Sequence, residues 1–473
     1  MELIEKVVVY PEQSTLKKRI FLSNIDLCLV VYQDTVFFFD PPTSEMSFSE
    51  IFNKLCNAFG KLLVHYDFMA GRLVQSLEDS HRFEIDCNDA GIVVIAARTD
   101  RKLSEFGDIF APNQDLEELA MFLQGKQEEE IDLKEKPLLS VQLTQFACGS
   151  LALTAHYNHC TLDGLAVRDF GANLAALTRG DSLIVVPFTD RTLLRARNPP
   201  RISYPHFEYG KATNIENLFS VRGTSGGINV RQNVTQNQIQ ILYLSPQQIA
   251  SFKMKAIKDC NLKNVTTFHV VAGKIWKART IAIKMSDDQV STMLFPVDIR
   301  KRVSPELPYG FAGKDEIHMR IFLTKKCYEY IKNNHYIKFT KSAIKYLCNA
   351  LVPGFARATV KELTELEDAY HIIKVQEGIE RLDDEYIKSS IDWLELNKGV
   401  PRREDSFSLV SGLRLGIGDQ HFAWGKLKCS TPLTVKPGLV MLLPAAPGDG
   451  GLNVCLDLLE DQMYIFRRIM LEF

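Results

Sequence analysis

The run Leu151 to Gly164, LALTAHYNHCTLDG, constrains the fold most, because a residue period of two ends in it and a period of 3.6 begins. Leu151, Leu153 and Ala155 alternate with Ala152, Thr154 and His156, which predicts a strand. Leu138 to Phe146 predicts a second strand, joined to the first by a turn at Ala147 to Ser150. From Asp163 the spacing changes: Ala166, Phe170, Leu174 and Leu177 fall on one helical face, with Asp163 as N-cap and Gly180 as the stop. His159 is therefore expected at a strand end, beside the helix start at Gly164. A histidine so placed is suited to face a cavity, and with a pKa near neutrality it can take a proton and return it.

The same alternation of periods runs through the chain. Strand-like runs at Leu27 to Tyr32, Thr35 to Phe39 and Ile92 to Ala96 accompany a helical run from Phe48 to Val64, so the first part, to about Val186, reads as an α/β mixture. Pro187 to Tyr209 carries Pro187, Pro199, Pro200 and Pro205 among several arginines, the pattern of a long ordered connection rather than a flexible linker. A second α/β unit begins at Gln238, with a strand from Ile239 to Tyr243 and Ser245-Pro246 opening the next helix. Another helix opens at Thr266 or Thr267. Its Val271, Ile275, Ala278 and Ala282 form a packing face, while its N-terminal amides are also able to meet a cofactor phosphate, and the sequence leaves both readings open. The acidic run Glu128 to Glu130 reads as a solvated loop.

Length alone gives 473 residues about three domains, or two larger ones, and 46% hydrophobic content fills sizeable cores. With 56 basic against 58 acidic residues, bulk charge argues against nucleic acid or an anionic membrane as the main partner. Any basic residue that holds a phosphorylated cofactor must act locally. The ten cysteines are scattered without a CxxC pair, which suits free thiols in a reducing compartment, and the cytoplasm is the default. The N-terminal MELIEKVVVYPEQ lacks the basic start and apolar length of a signal peptide, and no run approaches the ~20 apolar residues of a membrane span. The sequons at Asn233 and Asn264 are expected to stay unused.

Two rival sites fail on context. Gly223-Thr-Ser225-Gly-Gly227 matches the GxSxG elbow of serine hydrolases, but that elbow needs a buried strand before it and a helix after it, whereas Ile228 to Gln236 is polar without helical period. His156, His159 and Asp163 lack the shared helix or loop face of a zinc set, and no HExxH pattern exists, so no metal is assigned and His156 reads as a packed or solvent-facing strand residue. His65 and His269 read as structural.

The string His159-Cys-Thr-Leu-Asp163-Gly164 resembles the HxxxDG motif of the plant BAHD family of acyl-CoA-dependent acyltransferases. Further likenesses follow in that family's order: Phe21-Leu-Ser-Asn-Ile-Asp26, Lys61 to His65 running into Met69-Ala-Gly-Arg72-Leu, Ile85-Asp-Cys-Asn88, Val297-Asp298-Ile299-Arg300, Pro305 to Gly313, and Phe422-Ala-Trp424-Gly425. They span almost the whole chain. Asp190-Arg-Thr-Leu-Leu194 with Arg197-Asn-Pro-Pro200, and Ser389-Ser-Ile-Asp392-Trp393, look most like the branch of ω-hydroxy-fatty-acid and fatty-alcohol hydroxycinnamoyltransferases and GLAUCE-like acyltransferases.

The resemblance implies an α/β fold of two similar chloramphenicol-acetyltransferase-like domains, with mixed β-sheets flanked by helices: residues 1–186 carrying HxxxD, a crossover connection over 187–230, and 231–473 carrying HFAWG. It implies an enzyme of specialised metabolism that moves an acyl group from acyl-CoA to the hydroxyl or amine of a specialised-metabolite or lipid-type acceptor. His159 would be the general base and Asp163 an architectural residue paired with Arg300, with Gly164 beside them at the active site. Acyl-CoA is then a cosubstrate, with no permanent cofactor and no metal, and the protein is expected to be a cytoplasmic monomer. Phe422, Trp424 and Gly425 would support the fold around the cofactor channel. Two departures stand out. His421 and Ala423 alter the family's DFGWG to HFAWG, and alignment through Arg414 and Trp424 puts Val410 and Gly412 where related enzymes place a Thr or Ser and a Trp. Both hydrogen-bond donors are then gone, and the missing indole leaves space for a bulkier acceptor or acyl group. These departures motivate an alternative, a BAHD-like accessory protein or an enzyme with a repurposed site and no acyl transfer. Retention of His159 and Asp163 argues against it.

Overall fold

The computed structural model of the chain describes all residues except 44, 124–131, 212–238, 259–261, 263, 312–342 and 473. Two mixed sheets carry the architecture. The first runs Glu2–Val9, Ile92–Arg98, Leu139–Gln145, Leu151–Asn158, Tyr32–Phe39, Gly425–Pro432, His421–Phe422 in spatial order, with its parallel pairing between Ile92–Arg98 and Leu139–Gln145. The second runs Ile239–Leu244, Leu452–Asp457, Leu439–Pro444, Ser406–Ser411, Val290–Asp298, Leu351–Thr359, and Ser406–Ser411 is parallel to both neighbours.

The Leu151–Asn158 strand lies inside the first sheet, antiparallel to Leu139–Gln145 and Tyr32–Phe39. Both of its faces are covered, so Thr154, His156 and Asn158 are buried along with Leu151 and Leu153. The Phe48–His65 helix starts from a Ser47–Glu50 capping box and buries Ile51, Phe52, Leu55, Phe59, Leu62 and Leu63 in the same core. Beside it lies the Gly164–Thr178 helix, where Asn173 Nδ2 donates to Tyr66 Oη at 2.9 Å and Phe170 meets the Tyr66 ring edge-on. The chain leaves this helix at Gly180, whose φ of +86° lies where glycine is unstrained.

One expected element is different. Leu27 to Tyr32 does not form a strand: Asn24–Leu27 is a short helix, and extended pairing begins at Tyr32 and continues through Phe39. Ser23 and Asp26 cap each other reciprocally, a local pattern that the alternation of apolar residues hides. The start of the second unit at Gln238 lies outside the described residues, and its first strand begins at Ile239.

On the second sheet the Thr267–Ala282 helix is capped by Thr266, and Val271, Ile275, Ala278 and Ala282 are completely buried, so that face is core packing. A third cluster joins the two halves, uniting Ile25, Val186, Phe188 and Leu194 with Ile299, Val352, Ile387 and Ile391. The connection after Val186 is ordered as far as it is described. Arg197 binds Glu385 at 2.8 Å and Asp392 at 2.6 Å on the Asp384–Asn397 helix, and Ser203 N–H donates to Ser389 Oγ at 2.8 Å.

The Asp368–Glu380 helix presses on the Leu351–Thr359 strand at Gly378, where a Cβ would lie 2.3 Å from the Phe355 carbonyl oxygen and 2.9 Å from Phe295 Cζ. Backbone cannot yield as a side chain does. Gly378→Ala is expected to cost about 1–3 kcal/mol of stability by overpacking, read as a lower urea midpoint. An unchanged midpoint would mean that the helix has room to shift.

Candidate active site

His159 sits one residue beyond the Leu151–Asn158 strand. Its N–H donates to the Val31 carbonyl at 2.8 Å, and its own carbonyl accepts from Asn349 Nδ2 at 2.9 Å, so both peptide groups that flank it are held. The side chain is half-buried, with Nδ1 sealed from solvent. Burial pushes the imidazole pKa below its ordinary value, with Lys436 adding to the effect, while the residue's own carbonyl, Asp163 and Asn349 oppose it. The ring is thereby biased toward its neutral form.

Asp163 lies four residues on and is fully buried. Its Oδ1 accepts the Ala166 N–H at 3.0 Å, the N-cap bond of the following helix, and its Oδ2 accepts from Arg300 Nη2 at 2.8 Å and from Ala350 N–H at 3.1 Å. Arg300 also donates to Asp298 Oδ1 at 3.0 Å, to the Tyr346 carbonyl at 3.1 Å and to the Cys348 carbonyl at 2.9 Å. Burial works against the guanidinium charge, but Asp163 and Asp298 outweigh it and its pKa lies above the usual value.

Gly164 has little room. A Cβ there would lie 3.2 Å from Leu415 Cδ2, in a turn closed by the bond from Leu415 N–H to the Gly412 carbonyl at 3.2 Å. Gly412 thus stands one turn from the HxxxDG segment. Val410 belongs to the Ser406–Ser411 strand, opposite Met441.

Phe422 and Trp424 are buried in the first core, their rings 5.0 Å apart and both edge-on to Phe39. Gly425 turns the chain at φ +148°, a conformation that L side chains rarely adopt. The segment grips the outer side of the Gly164–Thr178 helix: Gln420 Nε2 donates to the Arg168 carbonyl at 3.0 Å and Ala423 N–H to Thr178 Oγ1 at 3.1 Å. His421 is exposed and engages through its backbone, its carbonyl accepting from Arg179.

Three residues behind the His159 loop were not singled out individually by sequence. Asn349 Nδ2 also donates to Asp26 Oδ1 at 2.9 Å, Asp26 forms an ion pair with Arg191 at 3.4 Å, and Arg191 Nη2 donates to the Thr161 carbonyl at 2.9 Å. Burial pushes the Asp26 carboxyl up, against the charge of Arg191. Asp26 and Arg191 lie in segments that carried the family resemblance, a signal of importance without a role. Asn349 had none.

A Ser–His–Glu series also emerges, with His206 between Ser389 Oγ and Glu208 Oε1 at 2.8 Å each. It is no hydrolase site. All three residues are buried, and Ser389 Oγ is occupied by the amides of Ser203 and Tyr204, so the series clasps the connection to its helix. Gly223 to Gly227 lies outside the described residues. His156 is packed, 2.7 Å from Asp34 and stacked on Tyr32.

A family model described as the Transferase family matches residues 1–345 and 337–472. The chain is 32% identical to acyltransferase GLAUCE of Arabidopsis thaliana over 98% of its length and 94% of that protein. It is 29% identical to omega-hydroxypalmitate O-feruloyl transferase of the same plant, over 99% of its length and 92% of that protein. The crystal structure of vinorine synthase matches with a TM-score of 0.69 at 20% identity, covering 98% of this chain and 96% of that one, a likeness that shows the two-domain fold of mixed sheets flanked by helices.

Asp163→Asn tests the geometry of the buried carboxylate. An amide keeps one acceptor oxygen and turns an NH2 toward donors that now share the carboxylate, so stability is expected to fall by about 3–5 kcal/mol, as when a buried ion pair loses one partner. Calorimetry and activity should decline together as the loop shifts. Unchanged melting with a displaced pH optimum would instead make Asp163 a direct participant.

Proposed function

The chain belongs to the Transferase family, the BAHD acyltransferases, and on that premise we propose that His159 is the general base of its reaction. The protein is an acyltransferase with acyl-CoA as cosubstrate. The observation that carries the assignment to His159 is a half-buried imidazole at a strand end, fixed through both flanking peptide groups, with its pKa pushed down.

With Nδ1 sealed, Nε2 is the nitrogen that exchanges the proton. It takes the proton of the acceptor hydroxyl or amine while that oxygen or nitrogen attacks the thioester carbonyl. The tetrahedral adduct then breaks its carbon–sulfur bond, and the imidazolium returns the proton to the departing CoA thiolate. The ester or amide leaves with the acyl group, and the enzyme is regenerated without a covalent intermediate. Asp163 and Arg300 hold the loop, and Gly164 admits Leu415.

Kinship supports a reading of the acyl donor and acceptor classes. Relatives named for feruloyl transfer to omega-hydroxypalmitate and for caffeoyl transfer to a fatty alcohol support an aromatic acyl-CoA and a lipid-type or specialised-metabolite acceptor. In this reading Val410 and Gly412 leave space for a bulkier acceptor or acyl group, and Phe422, Trp424 and Gly425 back the Gly164–Thr178 helix. The two domains are read as 1–186 and 231–473, joined by 187–230, with segment 421–432 of the second crossing over to complete the sheet of the first, in a cytoplasmic monomer whose free thiols suit a reducing compartment.

Free-thiol release from a panel of acyl-CoAs and acceptors is the direct assay. His159→Ala is expected to lower turnover by roughly 10²- to 10⁴-fold with little change in melting, and near-wild-type turnover would remove the assignment. The neutral ring is the active form, so a lowered pKa carries activity to lower pH. The acid limb of kcat/KM is expected below about 6.5, the ordinary value for histidine, and a limb above it would contradict the burial argument.

A further inference from the structure

The base mechanism makes no use of the polar cluster behind His159. Asn349 is fully buried, and both hydrogens of its amide are committed, one to Asp26 Oδ1 and one to the His159 carbonyl, each at 2.9 Å. Its Oδ1 has no hydrogen-bond partner among the described residues. Because both neighbours are acceptors, only the NH2 end can face them. Asp26 is fixed in turn by Ser23 Oγ at 2.7 Å and by the ion pair with Arg191, which reaches back to the Thr161 carbonyl. Two carbonyls of one tight turn, at His159 and Thr161, are thus held from inside the protein by one amide and one guanidinium.

A side chain takes its direction from the peptide that bears it. The His159 N–H is pinned to Val31 in the first half of the chain, and its carbonyl to Asn349 in the second. We propose that Asn349 is a positioning residue for His159, with the Asp26–Arg191 pair as its anchor, and that its amide sets the direction in which Nε2 meets the substrates. The inference rests on His159 being the base. Asparagine is required by the donor count. Leucine of similar volume offers no donor, aspartate would set a second carboxylate against Asp26, and serine keeps one donor.

Steady-state kinetics of the full chain test this with Asn349→Leu, Asn349→Ser and His159→Ala side by side. Since a misplacement of about 1 Å costs on the order of 10²-fold, Asn349→Leu is expected to lower kcat by about 10- to 100-fold while the acyl-CoA KM stays within about twofold. Asn349→Ser should recover part of that loss. Wild-type kcat in soluble Asn349→Leu overturns the proposal, as does a loss in which KM rises in step with a falling Tm, the mark of general loosening. Should the leucine variant fail to fold, Asn349→Ser decides: kcat several-fold down at constant KM supports positioning, and wild-type kcat refutes it. If His159→Ala keeps its turnover, the base assignment fails. An inactive His159→Ala beside an unaffected Asn349→Leu removes only the positioning role.

Discussion

The buried carboxylate of Asp163 gathers hydrogen bonds from three stretches of chain: the helix it caps through Ala166, the strand end that carries Arg300, and the turn before the Leu351–Thr359 strand through Ala350. A charge with no access to water is tolerated only where its lone pairs are met, and these donors meet them. Asp163 therefore fixes the helix start, the loop from His159 and two segments of the second half as one unit. It also explains why Arg300 can be buried: its guanidinium is spent on two carboxylates and two carbonyls.

The opposite side of the same helix is secured by packing. Gln420 and Ala423 bond to it, while Phe422 and Trp424 lock the segment into the core around Phe39. The strand Gly425–Pro432 then pairs with Tyr32–Phe39, so the first sheet is completed by chain from the far end of the sequence. The Gly164–Thr178 helix is thus supported twice, at its start by the polar network of Asp163 and along its length by the 420–424 segment. His421, where the resembled motif has Asp, is exposed and makes its contact to the helix end through its backbone carbonyl.

Polar side-chain bonds join the two halves at several points, one on the half-exposed connection and others fully buried. Arg197 joins Glu385 and Asp392, His206 joins Ser389 and Glu208, and Asn349 joins Asp26 and His159. Each demands a particular partner at a particular angle, whereas apolar contacts accept many arrangements. The third apolar cluster brings the halves together, and these bonds fix their register.

Sequence determined what depends on near neighbours along the chain. The strand at Leu151, the cap at Asp163, the stop at Gly180 and the buried face of the Thr267–Ala282 helix were legible because periodicity and capping act over a few residues. His159 was legible through its place at the switch of period, and the Asp163–Arg300 pair through the resemblance of their motifs. The short helix at Asn24–Leu27 was missed because its reciprocal cap lies inside an apolar run. Only the tertiary structure decided that residues 421–432 complete the first sheet, and that Asp26, Arg191 and Asn349 stand behind His159. Strand pairing and hydrogen bonds between segments hundreds of residues apart leave no period in the sequence, because what selects them is the shape and unmet polarity of a surface that exists only after folding.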